Sequence, residues 1–313
     1  MNEPILHHYP ASPYAEKIRL MLGFKKLHWK SVLIPKMMPK PDVIALTGGY
    51  RRTPILQVGA DIYCDTSLIT RTLESLAPSP TLYAYGDTLA VQSLSHFADQ
   101  TLFNITIPMA IFDAESFGIF FPGSTPESMQ RFREDRAAMR KGGTVRRGTI
   151  PECRALYAYF APMIESQFAD GRAYLLGASP CVADFALYHT MWVIGRVPKL
   201  AGLLEPLPKI SQWMQRMKGI GYGSSSEITS GEAIRIANSS RPENLNGAVA
   251  LETDGIALGQ PAQVMPIDYA LDPVKGELLN ASADEIVIRR SDPRAGTLQV
   301  HFPRFGFQLA RAS

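Results

Sequence analysis

Apolar and polar positions follow two periods along the chain, and the changes between them divide it into three stretches. In residues 4–76 short apolar runs alternate with segments of helical spacing. Ile5-Leu6-His7-His8-Tyr9 predicts a strand and Pro13 to Gly23 a helix, with Ser12 at its N-cap position and Pro13 at N1. Trp29 to Ile34 predicts a second strand, closing a β-α-β unit. Pro41 to Leu46 predicts a short helix ended by Gly48-Gly49. Pro54 to Val58 and Asp61 to Cys64 predict a hairpin around Gly59-Ala60, and Thr66 to Leu76 a helix stopped by Pro78 and Pro80.

Residues 87–221 read as helical throughout. Leu89 to Ala110, Glu127 to Lys141, Pro151 to Phe168, Val182 to Ile194 and Leu207 to Lys218 are the predicted helices. Val182 to Ile194 is almost wholly apolar, as a buried central helix would be. The segment from Phe117 to Gly148 has a less regular pattern. Gly221 to Ser226 reads as a linker. Beyond it the period shortens. After a short helix at Ser230 to Ala237, strand-like runs occur at Gly247 to Leu251, Ala262 to Met265, Val274 to Leu279, Glu285 to Arg290 and Leu298 to Phe302. Such spacing predicts a small sheet or barrel. The pattern therefore divides the chain into residues 1–80, 87–221 and 227–313, an α/β region, an all-α helical bundle and a small β-rich domain.

Composition narrows the function classes. With 313 residues the chain is long enough for two or three domains. Its hydrophobic content of 46% and charged content of 19% are those of an ordinary globular protein, and no apolar run is long enough to span a bilayer. The opening MNEPILHHYP lacks the pattern of a secretory signal. Cys64, Cys153 and Cys181 are widely spaced and form no C-x-x-C, so neither a dithiol motif nor a metal site is expected, and reduced thiols in a cytoplasmic protein fit best. Residues 223–313 hold 8 Lys/Arg against 11 Asp/Glu, while the remainder is basic. No concentrated basic face with stacking groups marks a nucleic-acid binder. The densest basic stretch, Arg131 to Arg147, reads first as a solvated helix face and loop, and alternatively as the mouth of an anionic-ligand site.

Three short elements carry candidate chemistry. Proline lacks an N–H and suits the first residue of a strand, and X-Pro is where a cis peptide is cheap. A cis Thr53–Pro54 bond would turn the Thr53 backbone outward to pair with an extended peptide. Only a thiolate attacks well, and lowering a thiol pKa by about two units takes ~2.7 kcal/mol. A hydrogen bond to a charged group contributes ~1.5–3 kcal/mol and a helix N-terminus ~0.3–1. Ser12 and the helix it begins could supply both, although Ser12 alone reads equally well as a simple cap. Asp65-Thr66 opens the next helix, where free N–H groups attract a carboxylate. The Thr66 hydroxyl could hold that carboxylate and Asp65 a neighbouring ammonium, as an α-amino acid end requires. Arg52, and more loosely Lys36 or Lys40, could meet a second carboxylate; all three read otherwise as surface charges, and for the two lysines that reading comes first.

Together, Ser12-Pro13-Tyr14-Ala15-Glu16-Lys17-Ile18-Arg19, Arg52-Thr53-Pro54-Ile55-Leu56 and Ile62-Tyr63-Cys64-Asp65-Thr66-Ser67-Leu68-Ile69 resemble the thioredoxin-like N-terminal domain of the cytosolic glutathione transferase superfamily, of the serine type. Leu175-Leu176-Gly177 and Pro180-Cys181-Val182-Ala183-Asp184-Phe185 resemble the capping segment of its helical domain, with Cys181 where Ser or Thr is usual and Asp184 structural. The resemblance covers about two thirds of the chain. It implies Ser12 as the catalytic hydroxyl, and glutathione held by Arg52, Thr53, Pro54, Asp65 and Thr66. It further implies a homodimer and no metal. A small apolar electrophile would lie against Tyr14, Phe103, Ile107 and Phe112, which read otherwise as core packing. The contrasting expectation is a non-catalytic glutathione-transferase-like scaffold that uses the C-terminal domain to bind a partner. His301 reads as a strand residue rather than a catalyst.

Overall fold

A computed structural model describes residues 3–112 and 114–312. The outermost ends of the first and third predicted domains, and the first two residues of the MNEPILHHYP opening, thus lie outside the described residues. The first region follows the predicted order: β1 (Ile5–His8), α1 (Pro13–Phe24), β2 (His28–Leu33), α2 (Pro41–Thr47), β3 (Ile55–Val58), β4 (Asp61–Cys64) and α3 (Thr66–Leu76). β1 pairs parallel with β2 and antiparallel with β3, and β3 forms the hairpin with β4. This is the thioredoxin-like arrangement. Gly48 ends α2 at φ +79°, a left-handed cap that a side chain would strain.

The middle region is helical: α4 (Leu89–His96), α5 (Phe103–Ile111), α6 (Ala114–Phe120), α7 (Pro126–Arg140), α8 (Ile150–Gln167), α9 (Val182–Gly195) and α10 (Pro208–Gly219). A π-helical turn at Phe97–Leu102 joins α4 to α5, so the single predicted helix from Leu89 continues with one widened turn. α6 was not expected from the pattern. α9 is the buried central helix, and Asp184 in its first turn accepts from the Leu175 and Cys181 N–H groups and from Trp213 Nε1, all at 2.8–3.0 Å. No single helix among the described residues is long and apolar enough to cross a membrane. All three cysteines are free and buried.

The C-terminal region holds β5 (Ser224–Glu227), α11 (Ser230–Ser239), β6 (Pro261–Pro266), β7 (Val274–Ala281), β8 (Glu285–Asp292), β9 (Gly296–Pro303) and β10 (Phe307–Arg311). Its strands join the first region's sheet, giving one ten-stranded sheet in the order β10-β6-β7-β8-β9-β4-β3-β1-β2-β5. β9 pairs parallel with β4, and β5 pairs parallel with β2. Two readings of the sequence are corrected here, and one strand is added. The Gly221–Ser226 linker ends in a strand, because Ser224–Glu227 finds the open edge of β2. Gly247–Leu251 forms only an isolated bridge, Ala250 to Ala281, since its neighbours fall in turns. Phe307–Arg311 is a strand against β6 that the pattern did not disclose.

Two cores result. One joins α1 and α3 to the helical region. The other fuses Ile5, Val32, Ile55 and Ile62 with Ile234, Ile288, Val300 and Phe302, so both ends of the chain share one apolar interior. Buried polar groups lock the seam between them. His301 on β9 stacks on Tyr63 with ring centroids 4.4 Å apart, and hydrogen-bonds Asp61 of β4 (3.0 Å) and Glu285 of β8 (2.8 Å).

Candidate functional site

Ser12 sits where β1 gives way to α1. Its backbone N–H donates to the Tyr9 carbonyl (3.1 Å), and its Oγ accepts from the Ala15 N–H (3.2 Å). The side chain thus caps the helix through its lone pair. Its own O–H is left to donate elsewhere. Ser12 is 2% exposed and lines a cavity of about 1040 Å³, counting the part open to solvent. The cavity lies between the β1–α1 connection, the segments around Met37–Lys40 and Arg51–Thr53, and helices α5 and α7.

The structure brings seven of the ten site residues expected from the sequence to this one cavity: Ser12, Tyr14, Arg52, Thr53, Phe103, Ile107 and Phe112. Pro54, Asp65 and Thr66 are not in its lining. The Thr53–Pro54 peptide is cis. Asp65 stands at φ +76°, where its carboxylate accepts from Ser67 N (2.9 Å) and Ser67 Oγ (2.8 Å) at the start of α3. Thr66 Oγ1 accepts from Lys17 Nζ at 3.3 Å, which ties the α3 N-terminus to α1 little more than one turn beyond Ser12.

Tyr14 is more constrained than a pocket residue need be. Its hydroxyl donates to the Asp99 carbonyl at 2.6 Å, and its ring lies 4.5 Å from Phe103 and 4.7 Å from His189. Burial holds its phenol well above the ordinary value, so it remains protonated. Asp99, in the π-helical turn, pairs with Lys17 (2.6 Å) and His189 (2.8 Å). Burial alone would raise its carboxyl, but the Lys17 ammonium and the His189 hydrogen bond hold it down at about 2. This centre braces α1 against the helical region and was not found from the sequence, where Asp99 and His189 lie 90 residues apart.

Arg52 has partners that the sequence did not disclose. Its Nη2 donates to Asp268 and to the Tyr269 carbonyl, and its guanidinium lies 3.8 Å from the centre of the Tyr269 ring. Asp268 in turn accepts, through its carbonyl, from Thr144 N at 2.8 Å, and Ala270 N donates to Met139 O at 2.5 Å. The loop between β6 and β7 thus docks onto the end of α7, and Tyr269 completes the cavity wall. Gly143 makes this docking possible: a Cβ there would stand 2.0 Å from the Asp268 carbonyl oxygen.

The basic stretch from Arg131 divides between the two readings offered for it. Arg131, Lys141 and Arg146 are solvated, whereas Arg136 and Arg140 line the cavity. Asp135 pairs with both Arg51 and Arg136. Lys40, 4% exposed, donates to the Arg51 carbonyl (3.2 Å) and Thr53 Oγ1 (3.0 Å). Burial, and after it the Arg136 charge, pull the Lys40 ammonium down to about 7. Among the described residues no cluster of His, Cys, Asp or Glu could hold a metal ion.

Comparisons with known proteins agree on the family. Residues 6–81 match the model for the glutathione S-transferase N-terminal domain, and residues 151–219 that for the C-terminal domain. A solved GST-like protein from Pseudomonas syringae is 38% identical over 100% of both chains, with a TM-score of 0.82. A glutathione S-transferase from Rhodospirillum rubrum F11 is 22% identical over 69% of this chain and 87% of its own, with a TM-score of 0.51. One from Ceriporiopsis subvermispora, solved in complex with glutathione, is 19% identical over 70% of this chain and 98% of its own, with a TM-score of 0.52. These last two likenesses concern the fold alone. No curated protein matches the sequence.

Proposed function

Because the chain belongs to the glutathione S-transferase superfamily, we propose that it is a glutathione transferase in which the Ser12 hydroxyl stabilises the glutathione thiolate for attack on a small electrophile. The observation that carries this reading is the state of Ser12: buried, on the cavity wall, and capping α1 as an acceptor with its O–H free to donate. That O–H, with the α1 N-terminus behind it, favours the charged sulfur over the neutral thiol. Thr53 would pair its backbone with the cysteinyl part of the peptide. The γ-glutamyl end would reach Asp65 and Thr66 at the α3 N-terminus. Lys40, which donates to Thr53 Oγ1, would meet the carboxylate at the other end. In the reaction a carbon–sulfur bond forms, the leaving group departs with its electron pair, and the thiol proton passes to solvent.

Phe103, Ile107 and Phe112 supply the apolar face on which the electrophile would rest. Tyr14, by contrast, is a wall rather than an acid or base, because its hydroxyl is spent on Asp99. The pairing of Arg52 with Asp268 favours the second reading, a scaffold that binds glutathione weakly. One experiment separates the two. Thiolate absorbance of bound glutathione is followed against pH in the native protein and in Ser12→Ala, with turnover of an electrophile panel alongside. A thiol pKa lowered by about two units in the native protein only supports the transferase. No binding at millimolar glutathione, or turnover unchanged in Ser12→Ala, overturns it.

A further inference from the structure

The cavity contains more positive charge than the proposed thiol ligand accounts for. Among the described residues five cations line it, Lys40, Arg51, Arg52, Arg136 and Arg140, against one lining carboxylate, Asp135. Asp135 is shared by Arg51 and Arg136. Arg52 is matched by Asp268 from the C-terminal region. Arg140 has no carboxylate partner among the described residues: its Nη1 donates only to the Arg136 carbonyl, at 3.0 Å. Arg136 is held in place by the Lys36 carbonyl (2.8 Å) and stands 3.4 Å from the Tyr9 hydroxyl. These two arginines lie one turn apart on α7, on the wall contributed by the helical region, where the second substrate rather than the peptide thiol is expected. Around them the lining is aromatic and apolar, with Phe112, Phe132 and Met139.

A half-buried arginine without a counterion, beside another that shares one, attracts an anion, and its planar donors suit a carboxylate. We propose that Arg140, supported by Arg136, binds the anionic group of an acceptor substrate whose body is aromatic, so that the second substrate is a carboxylate-bearing or similarly anionic aromatic electrophile. This rests on the transferase reading for its chemistry, but the anion site itself can be tested without turnover. The reading also explains why the basic residues of α7 are not distributed evenly in solvent: the two at this spacing face inward.

The test uses the full chain and two unreactive probes, 3,5-dinitrobenzoate and the neutral 1,3-dinitrobenzene, titrated calorimetrically in low salt. The expected result is at least tenfold tighter binding of the anion, a preference that shrinks with added sodium chloride. Arg140→Ala is expected to bring the two probes within about threefold, and Arg140→Lys to retain part of the preference. Thermal melts of both variants guard against misfolding. Equal binding of the two probes to the native protein, or an undiminished preference in a folded Arg140→Ala, overturns the proposal. A second arm compares turnover of 4-chloro-3,5-dinitrobenzoate and 1-chloro-2,6-dinitrobenzene with glutathione, where sulfur replaces chloride at the ring carbon. Anion preference in binding without turnover of either chloride leaves the anion site standing and removes the transferase reading. Turnover of both chlorides with equal KM, together with equal probe binding, does the reverse.

Discussion

The four strands of the first region and the strands that follow Gly221 lie in one sheet, but they are held in it by different means. β1 to β4 are joined by a short hairpin, a β-α-β crossover and the connection through α2, so paired residues lie no more than 52 positions apart, as Ile5 and Gln57 do. β5 and β9 attach to the two outer strands across far greater distances, β5 to β2 and β9 to β4. In isolation the first region would present two bare edges, each a row of unpaired N–H and C=O groups. The C-terminal region covers both, and buries Ile5, Ile55 and Ile62 under a shared core. The difference has a functional side. The first region supplies the residues that would hold and activate the thiol. The last supplies Asp268 and Tyr269, which restrain Arg52 and close the cavity.

Truncation after Gly221 is the harshest test of that dependence. Removing both edge strands and more than half of the shared core is expected to give an insoluble or unfolded chain; a folded product with a cooperative melt would show that the first two regions stand alone. Next in size is pH. Burial favours a neutral His301, yet the hydrogen bonds it donates to the Asp61 and Glu285 carboxylates raise it to about 9. A folded-state pKa above the unfolded value near 6.5 stabilises fully below that value and is lost as pH rises through about 9, by up to roughly 3 kcal/mol. Tm is therefore expected to fall between pH 7 and pH 10, and His301→Gln to be less stable at pH 7 but flatter over that interval. A native Tm insensitive to this interval would mean that His301 contributes no charge-dependent stability to the seam.

Ser12→Ala probes the first region alone. Loss of the ~1.5–3 kcal/mol that one hydrogen bond to a charged sulfur contributes corresponds to a roughly ten- to hundredfold fall in kcat/KM with glutathione, with Tm changed only by the loss of a cap. The last region's contribution to the site is the subtler one. Asp268→Asn frees Arg52 from a carboxylate, and glutathione, which brings its own, is expected to bind about tenfold tighter, as the exchange of one charge-assisted partner implies. Unchanged affinity measured by calorimetry would mean that Arg52 serves only to anchor the β6–β7 loop. Gly143→Ala, which pushes a methyl against the Asp268 carbonyl, should loosen the same loop and produce the Asp268→Asn phenotype in weaker form.

Much of the fold was legible because its signals are local. Pro and Ser at a helix start, paired glycines after a short helix and alternating apolar strands act through neighbours, and α3 spans the predicted Thr66–Leu76. The π-helical turn was not legible, since Asp99 is drawn to Lys17 and His189 only once three elements are packed together. β5 escaped notice because Ser-Ser-Ser-Glu has no hydrophobic face; it is a strand only because β2 offers an edge.

By itself the sequence determined the order of elements in residues 4–76, the helical character of residues 87–221, and the placement of Ser12, Thr53 and Asp65-Thr66 at element starts, where caps and prolines act over a few residues. Tertiary structure alone decided that Asp268 meets Arg52 across 216 residues, that Arg136 and Arg140 face a cavity rather than solvent, and that the last strands complete the first sheet. The physical reason is common to all three. A charge or an open strand edge is satisfied by whichever partner folding brings within about 3 Å, and nothing in the local pattern names that partner.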